Sequence, residues 1–337
     1  MEIALSSNDL VSICIPAYNC EKFIAETLNC LLNQSYQKIE IIVVDDGSVD
    51  DTRLVVSKIK DIRLTYLWQE NKGAAAARNT AYKLSKGAHI KFMDADDLIN
   101  VDGIKNQLLK IKGEKDCITS SKWGRFFGDD VNTFTYTEEN VWKEMKGIDW
   151  VVESLVEHGS NMTQPGIFLI PRNLIERLGV WDECLSLIDD FEFMTRLIVN
   201  SKLVLFCEDA VLMYRSGIDA SLSRSNSRKH MESACKALTL GVNEILKIRN
   251  DSRSRLACAN TLQLWAYIFY PNHMDIYNET EARIRSLGGA SIRVKGGRYF
   301  VFISKIFGWK NTVLFKRFIL KLLKKKDFNS IRNYKTN

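Results

Sequence analysis

An α/β fold on a doubly wound, Rossmann-like sheet, followed by a helical C-terminal extension, is what this 337-residue sequence predicts. Three observations carry the prediction. Short apolar runs at residues 11–15, 39–44, 63–68 and 89–93 alternate with stretches whose apolar residues recur at helical spacing. The run 39–44 is apolar almost throughout, as a strand covered on both faces must be. From Ser227 the pattern stays helical, so an α/β domain is expected over 1–226 and a helical, basic region over 227–337.

Val11-Ser12-Ile13-Cys14-Ile15 is a β-rich run stopped by Pro16, which suits the end of a strand. Ala17-Tyr18-Asn19 makes the turn, with Asn19 the expected N-cap of a helix whose apolar face is Ile24, Leu28, Leu31 and Leu32. The second strand ends at Asp45-Asp46-Gly47-Ser48. Gly47 permits a tight turn, and Ser48 is expected to cap a helix with Leu54, Val55 and Ile59 on its inner face. The third strand leads through Gln69-Glu70-Asn71-Lys72-Gly73 into an alanine-rich helix, 74–84, that carries Arg78 in its second turn. The fourth delivers Asp94-Ala95-Asp96-Asp97. Residues 164–172 read as one more strand, and acidic residues 189–192 open a helix.

In doubly wound sheets ligands sit beyond the carboxyl ends of the strands. Tyr18 and Asn19, Asp45 and Asp46, and Asp94 to Asp97 all fall there. Three carboxylates within four residues repel one another unless a cation sits among them, and a hard divalent ion held by one or two carboxylates plus substrate phosphates resolves the conflict. An acidic turn capping the next helix would use the same residues. No G-x-G-x-x-G follows the first strand and no G-x-x-x-x-G-K-[ST] occurs, which argues against a dehydrogenase or a P-loop enzyme. The eight cysteines lack C-x-x-C spacing, so neither a zinc site nor a disulfide framework is indicated, and a reducing, cytoplasmic setting fits. Residues 1–10 have no apolar core and the longest apolar runs are too short to span a bilayer, so neither a signal peptide nor a membrane span is expected.

V-S-I-C-I-P-A-Y-N, I-I-V-V-D-D-G-S-V-D-D-T, E-N-K-G-A-A-A-A-R-N and F-M-D-A-D-D together resemble, in order and spacing, the N-terminal half of the family-two glycosyltransferases. Those are inverting enzymes of the A-type glycosyltransferase (GT-A) fold, and a looser resemblance runs to about residue 225. It implies that a nucleoside diphosphate sugar, UDP-linked, lies across the strand ends and gives its sugar to an acceptor hydroxyl. Pro16, Ala17, Tyr18 and Asn19 would line the nucleotide pocket, and Asp45 or Asp46 would hydrogen-bond the base. Lys72, Gly73 and Arg78 would help hold the donor, Arg78 at the pyrophosphate. Asp94 and Ala95 would face the ribose, and Asp96 would bind Mn²⁺ or Mg²⁺.

An inverting displacement also needs a base for the acceptor proton. Gly179-Val180-Trp181-Asp182-Glu183 followed by Asp189-Asp190-Phe191-Glu192 and Arg196 resembles the family's second acidic segment, with Val180 and Asp189 as departures. Asp190 aligns with the catalytic base; Asp189 and Glu192 would lie at the acceptor, although acidic residues at a helix start also complement its dipole. Tyr214-Arg215 and Ser221-Leu222-Ser223 resemble a loop closing over the diphosphate, where Arg215 or Ser223 would touch phosphate.

The net charge of +6 is unevenly spread. Residues 283–326 hold 13 Lys and Arg and no Asp or Glu, which leaves the rest of the chain at −7. Within 310–326, Phe315, Phe318, Ile319, Leu322 and Leu323 share one helical face, with Arg317, Lys321 and Lys324 opposite. Such a helix fits the anionic inner face of a membrane, and equally fits packing on its own domain with lysines in solvent. No interleaved motif points to nucleic acid. The expectation is a cytoplasmic, membrane-peripheral glycosyltransferase of cell-surface polysaccharide (O-antigen or capsule) assembly, its acceptor a saccharide or a lipid-linked saccharide. The rivals are a nucleotidyltransferase, which would show a Gly- and Arg-rich loop where Pro16-Ala17-Tyr18-Asn19 stands, and a non-catalytic sugar-nucleotide-binding protein, against which Asp94, Asp96 and Asp190 speak.

Overall fold

The computed structural model describes residues 9–114, 116–218, 227–294 and 296–322. Strands β1 (Val11–Ala17), β2 (Ile39–Asp46), β3 (Leu64–Gln69) and β4 (His89–Phe92) alternate with helices α1 (Ile24–Leu32), α2 (Thr52–Ser57) and α3 (Ala74–Leu84). Then come β5 (Leu98–Ile99), α4 (Gly103–Ile111), β6 (Cys117–Phe127), β7 (Asp130–Tyr136), α5 (Gly147–Val156), β8 (Ile170–Pro171), α6 (Arg172–Leu178), α7 (Asp189–Val199) and β9 (Leu203–Ser216). Helices α8 (Arg228–Ile248), α9 (Ser252–Phe269), α10 (Met274–Ser286), α11 (Arg298–Phe307) and α12 (Trp309–Leu322) follow.

Two sheets result. The first has the order β3-β2-β1-β4-β8; its first four strands are parallel and β8 runs antiparallel to β4. The second has the order β5-β9-β6-β7, with β6 and β9 parallel and the other pairs antiparallel. The chain leaves the first sheet at Phe92 and enters the second at Leu98, so the acidic residues 94–97 are the span between them. The four parallel strands stand where the apolar runs predict them: β1 and β2 are buried almost throughout, with α3 packed on both, while β3 at the sheet edge is partly exposed.

Several local expectations are corrected. Residues 164–172 form a 3-10 turn (Pro165–Ile167), the two-residue β8 and the start of α6, because Pro165-Gly166 turns the chain before a strand can extend. The second sheet is not expected from sequence: β6 buries Thr119, Ser120 and Ser121, and β9 is interrupted by Glu208-Asp209 where its register with β6 shifts. Tyr214 and Arg215 therefore lie in a strand, not a closing loop. Neither Asn19 nor Ser48 caps a helix. Asn19, at φ 48°, accepts from Val49 N through Oδ1 and donates its own N–H to Ser48 Oγ, both at 2.9 Å, which ties the β1–α1 turn to the β2–α2 turn. The inner face of α2 is Thr52, Val55 and Val56; Leu54 is exposed.

Helix α8 packs on α7, α9 on α5 and α10 on α9, and Leu238, Val242 and Ile245 are buried in the same core as the sheets. Ser227 and Asp251 cap α8 and α9 by accepting from His230 N and Ser254 N. Among the described residues no helix is long and apolar enough to cross a membrane.

Beneath the acidic span, fully buried Lys91 donates to Gly166 O at 2.6 Å, Gln107 Oε1 at 2.9 Å and Phe168 O at 3.4 Å. Facing neutral acceptors, its ammonium is pushed by burial down to about 7. An unfolded lysine holds its proton to about pH 10. Between those values the unfolded chain binds more protons, so this residue makes stability rise with pH. Unfolding wild type and Lys91→Met in urea at about pH 7 and about pH 8.5 is expected to show a wild-type gain on the order of 1 kcal/mol that the variant lacks. Parallel behaviour of the two proteins would exclude it.

Candidate active site

At the carboxyl ends of the parallel strands, Pro16 and Ala17 close β1, with Ala17 opposite Asp45 in the sheet register. Tyr18 beyond them is exposed. Asp45 is buried: Oδ2 accepts from the Tyr66 hydroxyl at 2.6 Å and Oδ1 from Ser48 N at 2.8 Å. Burial, and then the bond to this carboxylate, raises the Tyr66 phenol above its usual range. Asp46 accepts from Gln69 Nε2 (2.7 Å), Lys72 N (2.9 Å) and Gly73 N (2.7 Å), so it fixes the loop that leads into α3. The Lys72 side chain is exposed. Gly47 makes this closeness possible. Its φ is +80°, and a Cβ there would lie 2.9 Å from Asn71 N. Both carboxylates thus shape the turns at the carboxyl ends of β2 and β3.

Arg78 joins the two acidic clusters. Buried in α3, it reaches Asp94 Oδ1 with one terminal nitrogen and Asp189 Oδ2 with the other, each at 2.9 Å, and its guanidinium carbon lies 4.5 Å from the Trp181 ring centroid. Residues so far apart in the chain face one cleft because the cation spans them. A second link runs through neutral residues: Gln164 Nε2 donates to Asp97 at 2.6 Å and approaches Asp94 at 3.5 Å, while Thr163 Oγ1 lies 3.4 Å from Asp190 Oδ2.

Within the span, the Ala95 and Asp97 carbonyls accept from Thr27 Oγ1. Asp97 is fully buried; burial, and then Asp96 and Asp94, raise its carboxyl well above the ordinary value. The Asp96 carboxylate differs from its neighbours in making no ion pair and accepting no hydrogen bond from another side chain among the described residues. Burial, then the charge of Asp94, pushes its carboxyl up to about 7. A half-buried oxygen donor made costly to ionise is what a hard divalent cation relieves, so these residues fit such an ion. Among the described residues no three His, Cys, Asp or Glu side chains could hold one by themselves, so phosphate and water would complete the shell.

Asp189 and Asp190 are the first residues of α7, where the helix dipole favours negative charge. Ile188 before them is left-handed, at φ 54°, an unfavourable conformation for a β-branched residue that the surrounding packing imposes. Burial raises the Asp189 carboxyl, with Arg78 opposing. Asp190 Oδ1 accepts from Phe191 N at 2.9 Å, which leaves Oδ2 with only the long Thr163 contact among the described residues. Glu192 turns away from both: it pairs with Arg196 at 2.7 Å, and Arg196 also donates to the carbonyls of Leu178, Gly179 and Val180. That pair holds the turn that delivers Trp181, which stacks on Phe193 at 4.0 Å beneath Arg78.

Arg215, expected near phosphate, is instead a buried structural hub. It donates to Asp96 O through Nε (2.8 Å), to Asp97 Oδ1 through its backbone N (2.9 Å) and to Gly128 O (2.6 Å), and pairs with Glu26. Its role follows from lying in β9, next to the acidic span. Ser221 to Ser223 lie outside the described residues. Sequence reasoning also misses Thr163 and Tyr66, which lack a charge pattern to mark them; Trp181 enters it only within the 179–183 segment, and Gln164 only as the start of the 164–172 stretch.

A mainly parallel sheet joined to a second sheet by an acidic span, with another acidic pair across the cleft, defines the GT-A class of nucleotide-sugar-dependent folds. Residues 12–165 match the family described as Glycosyl transferase family 2. The chain is 46% identical over 108 residues to the Escherichia coli UDP-Glc:alpha-D-GlcNAc-diphosphoundecaprenol beta-1,3-glucosyltransferase WfaP, over 32% of this chain and 43% of that protein. With glycosyltransferase GlyG of Streptococcus pneumoniae it shares 28% identity over 62% of this chain and 71% of the other. The crystal structure of S. aureus TarS 1–349 in complex with UDP-GlcNAc matches at TM-score 0.65 and 20% identity, covering 83% of this chain and 81% of that one, which shows a shared fold. The match spans less than half the length of the glucosyltransferase WfaP.

Proposed function

We propose that this chain is a metal-dependent, inverting glycosyltransferase that moves a hexose from a UDP-sugar to a hydroxyl of a saccharide or lipid-linked saccharide in cell-surface polysaccharide assembly. The observation that carries the reading is the Arg78 bridge, which brings the Asp94–Asp97 span and the Asp189–Asp190 pair to one cleft beyond the strand ends. The names of relatives supply the donor and acceptor classes: WfaP uses UDP-Glc and a GlcNAc-diphosphoundecaprenol. Eight free thiols, most of them buried, suit the cytoplasmic side of the membrane.

In this reading Pro16, Ala17, Tyr18 and Asn19 form the wall against the nucleotide. Asp45 and Asp46 hold the turns that face the base and offer it their remaining lone pairs. Arg78 lies on the pyrophosphate side with Lys72 and Gly73, and Asp94 lies toward the ribose. Asp96 would hold Mn²⁺ or Mg²⁺ together with donor phosphate oxygens. Once bound, that ion would supply Lewis-acid neutralisation of the charge growing on the leaving diphosphate. On the opposite side Asp190 Oδ2 exchanges its loose contact with Thr163 for the acceptor hydroxyl. As the acceptor oxygen forms its bond to the anomeric carbon, the bond to the diphosphate breaks and the hydroxyl proton passes to Asp190. One displacement gives inversion.

UDP release from UDP-Glc and UDP-GlcNAc, with Mn²⁺ or EDTA present, tests the reading. UDP release that EDTA and Asp96→Asn abolish is expected, with an inverted anomeric centre in the product by NMR. Pyrophosphate as the product, or no turnover with any nucleoside diphosphate sugar, would overturn it.

A further inference from the structure

We propose that helices α11 and α12 form a docking surface for anionic lipid, which deepens the reading above by placing the transferase at the surface where a lipid-linked acceptor resides. Helix α12 has already satisfied its inward face. Thr312 and Val313 are buried, Trp309 packs edge-on against Tyr267 and Tyr270 at 4.8 and 5.0 Å, and Lys310 pairs with Glu281 of α10 at 3.1 Å. It nevertheless presents a second apolar side, with Phe315 56% and Phe318 59% exposed. Helix α11 buries no residue at all, and Tyr299 and Phe302 stand 87% and 63% exposed with Ile306 on the same stripe. Gly308, at φ +76°, turns one helix directly into the next.

Two consecutive helices with aromatic outer stripes are too large an apolar exposure to be incidental. Their charge selects the occupant. Arg298 and Lys305 flank the α11 stripe on one side and are exposed, and no acidic residue occurs anywhere from 283 to 326. A folded protein partner presents charges of both signs and would meet some acidic residues here; a leaflet of anionic headgroups presents one sign over an area that matches both helices. Aromatic rings entering the headgroup boundary between basic side chains are the composition of an interfacial helix. Neither helix needs to cross the bilayer for this.

Co-sedimentation of the full chain with vesicles of phosphatidylcholine and phosphatidylglycerol, against phosphatidylcholine alone, tests the surface. Binding to the anionic vesicles that falls with added salt is expected. The exposed triple variant Phe302→Ser/Phe315→Ser/Phe318→Ser should bind at least about tenfold more weakly. Arg298→Gln/Lys305→Gln should lose roughly fivefold per charge. UDP release without acceptor should be unchanged in both, which shows that they fold and separates this test from that of the transferase reading. A wild type that turns over donor yet stays in the supernatant with anionic vesicles would overturn the proposal. So would a dimer in sedimentation equilibrium that the triple variant converts to monomer, since a second copy would then cover these helices.

Discussion

Asparagine at position 190 is expected to lower kcat by about 10³, within the range a general base contributes, with donor KM changed by less than about threefold. The substitution is nearly isosteric and keeps an Oδ1 acceptor for Phe191 N, so the start of α7 and the melting temperature should be preserved. What disappears is the lone pair on Oδ2, the side of the carboxylate that carries only the 3.4 Å contact to Thr163. Asp189→Asn is the informative partner. Its carboxylate serves Arg78, so its loss should raise donor KM more than it lowers kcat. Steady-state UDP release for both variants decides the matter. If Asp189→Asn loses about 10³ in kcat and Asp190→Asn stays within about tenfold of wild type, the base is Asp189.

Arg78→Met is expected to destabilise the protein by about 3 kcal/mol and to raise donor KM by at least about tenfold. The guanidinium is 8% exposed, and its removal strands carboxylates that are 30% and 15% exposed. Breaking such a pair costs more than the pair contributes, because the remaining charge keeps its desolvation penalty. Asp189→Asn in the Arg78→Met background should therefore recover part of the lost stability, measured by urea unfolding, without restoring donor affinity. Additive losses in that double variant would show that Arg78 and Asp189 do not act as one unit.

What the sequence made legible was local. Each of the first four strands is a mainly apolar run, broken at Ser12, Glu40, Thr65 or Lys91, that ends in Pro16, Asp45-Asp46, Gln69 or Asp94, and runs of that length need no partner to be read. The parallel pairing of β6 with β9 joins Cys117 to Leu203 across the whole of α5 to α7, and the buried Ser120 and Ser121 hide its pattern. Glu192 was marked as an acid in the right cluster, yet its direction was set by Arg196 one helical turn on. That i, i+4 spacing was the available sign that it was spoken for. The family resemblance draws Arg215 toward phosphate, while burial and four protein acceptors make it part of the frame. Arg78 was found by motif alone; that it would grip both acidic clusters at once depends on a tertiary approach no local pattern encodes.

The acidic span is anchored at one end in the mainly parallel sheet, at the carboxyl edge assigned above to the donor, and at the other in a separate sheet whose strands do not form that edge. The two walls of the cleft therefore belong to different sheets, tied by the span itself and by the backbone bridge between Thr119 and Leu169. Under the proposed function, drift in β6, β7 or the segment before β8 recuts one wall to admit a different receiving alcohol, while the wall assigned to the donor keeps its shape. A scaffold divided in this way lets one donor chemistry serve many recipients.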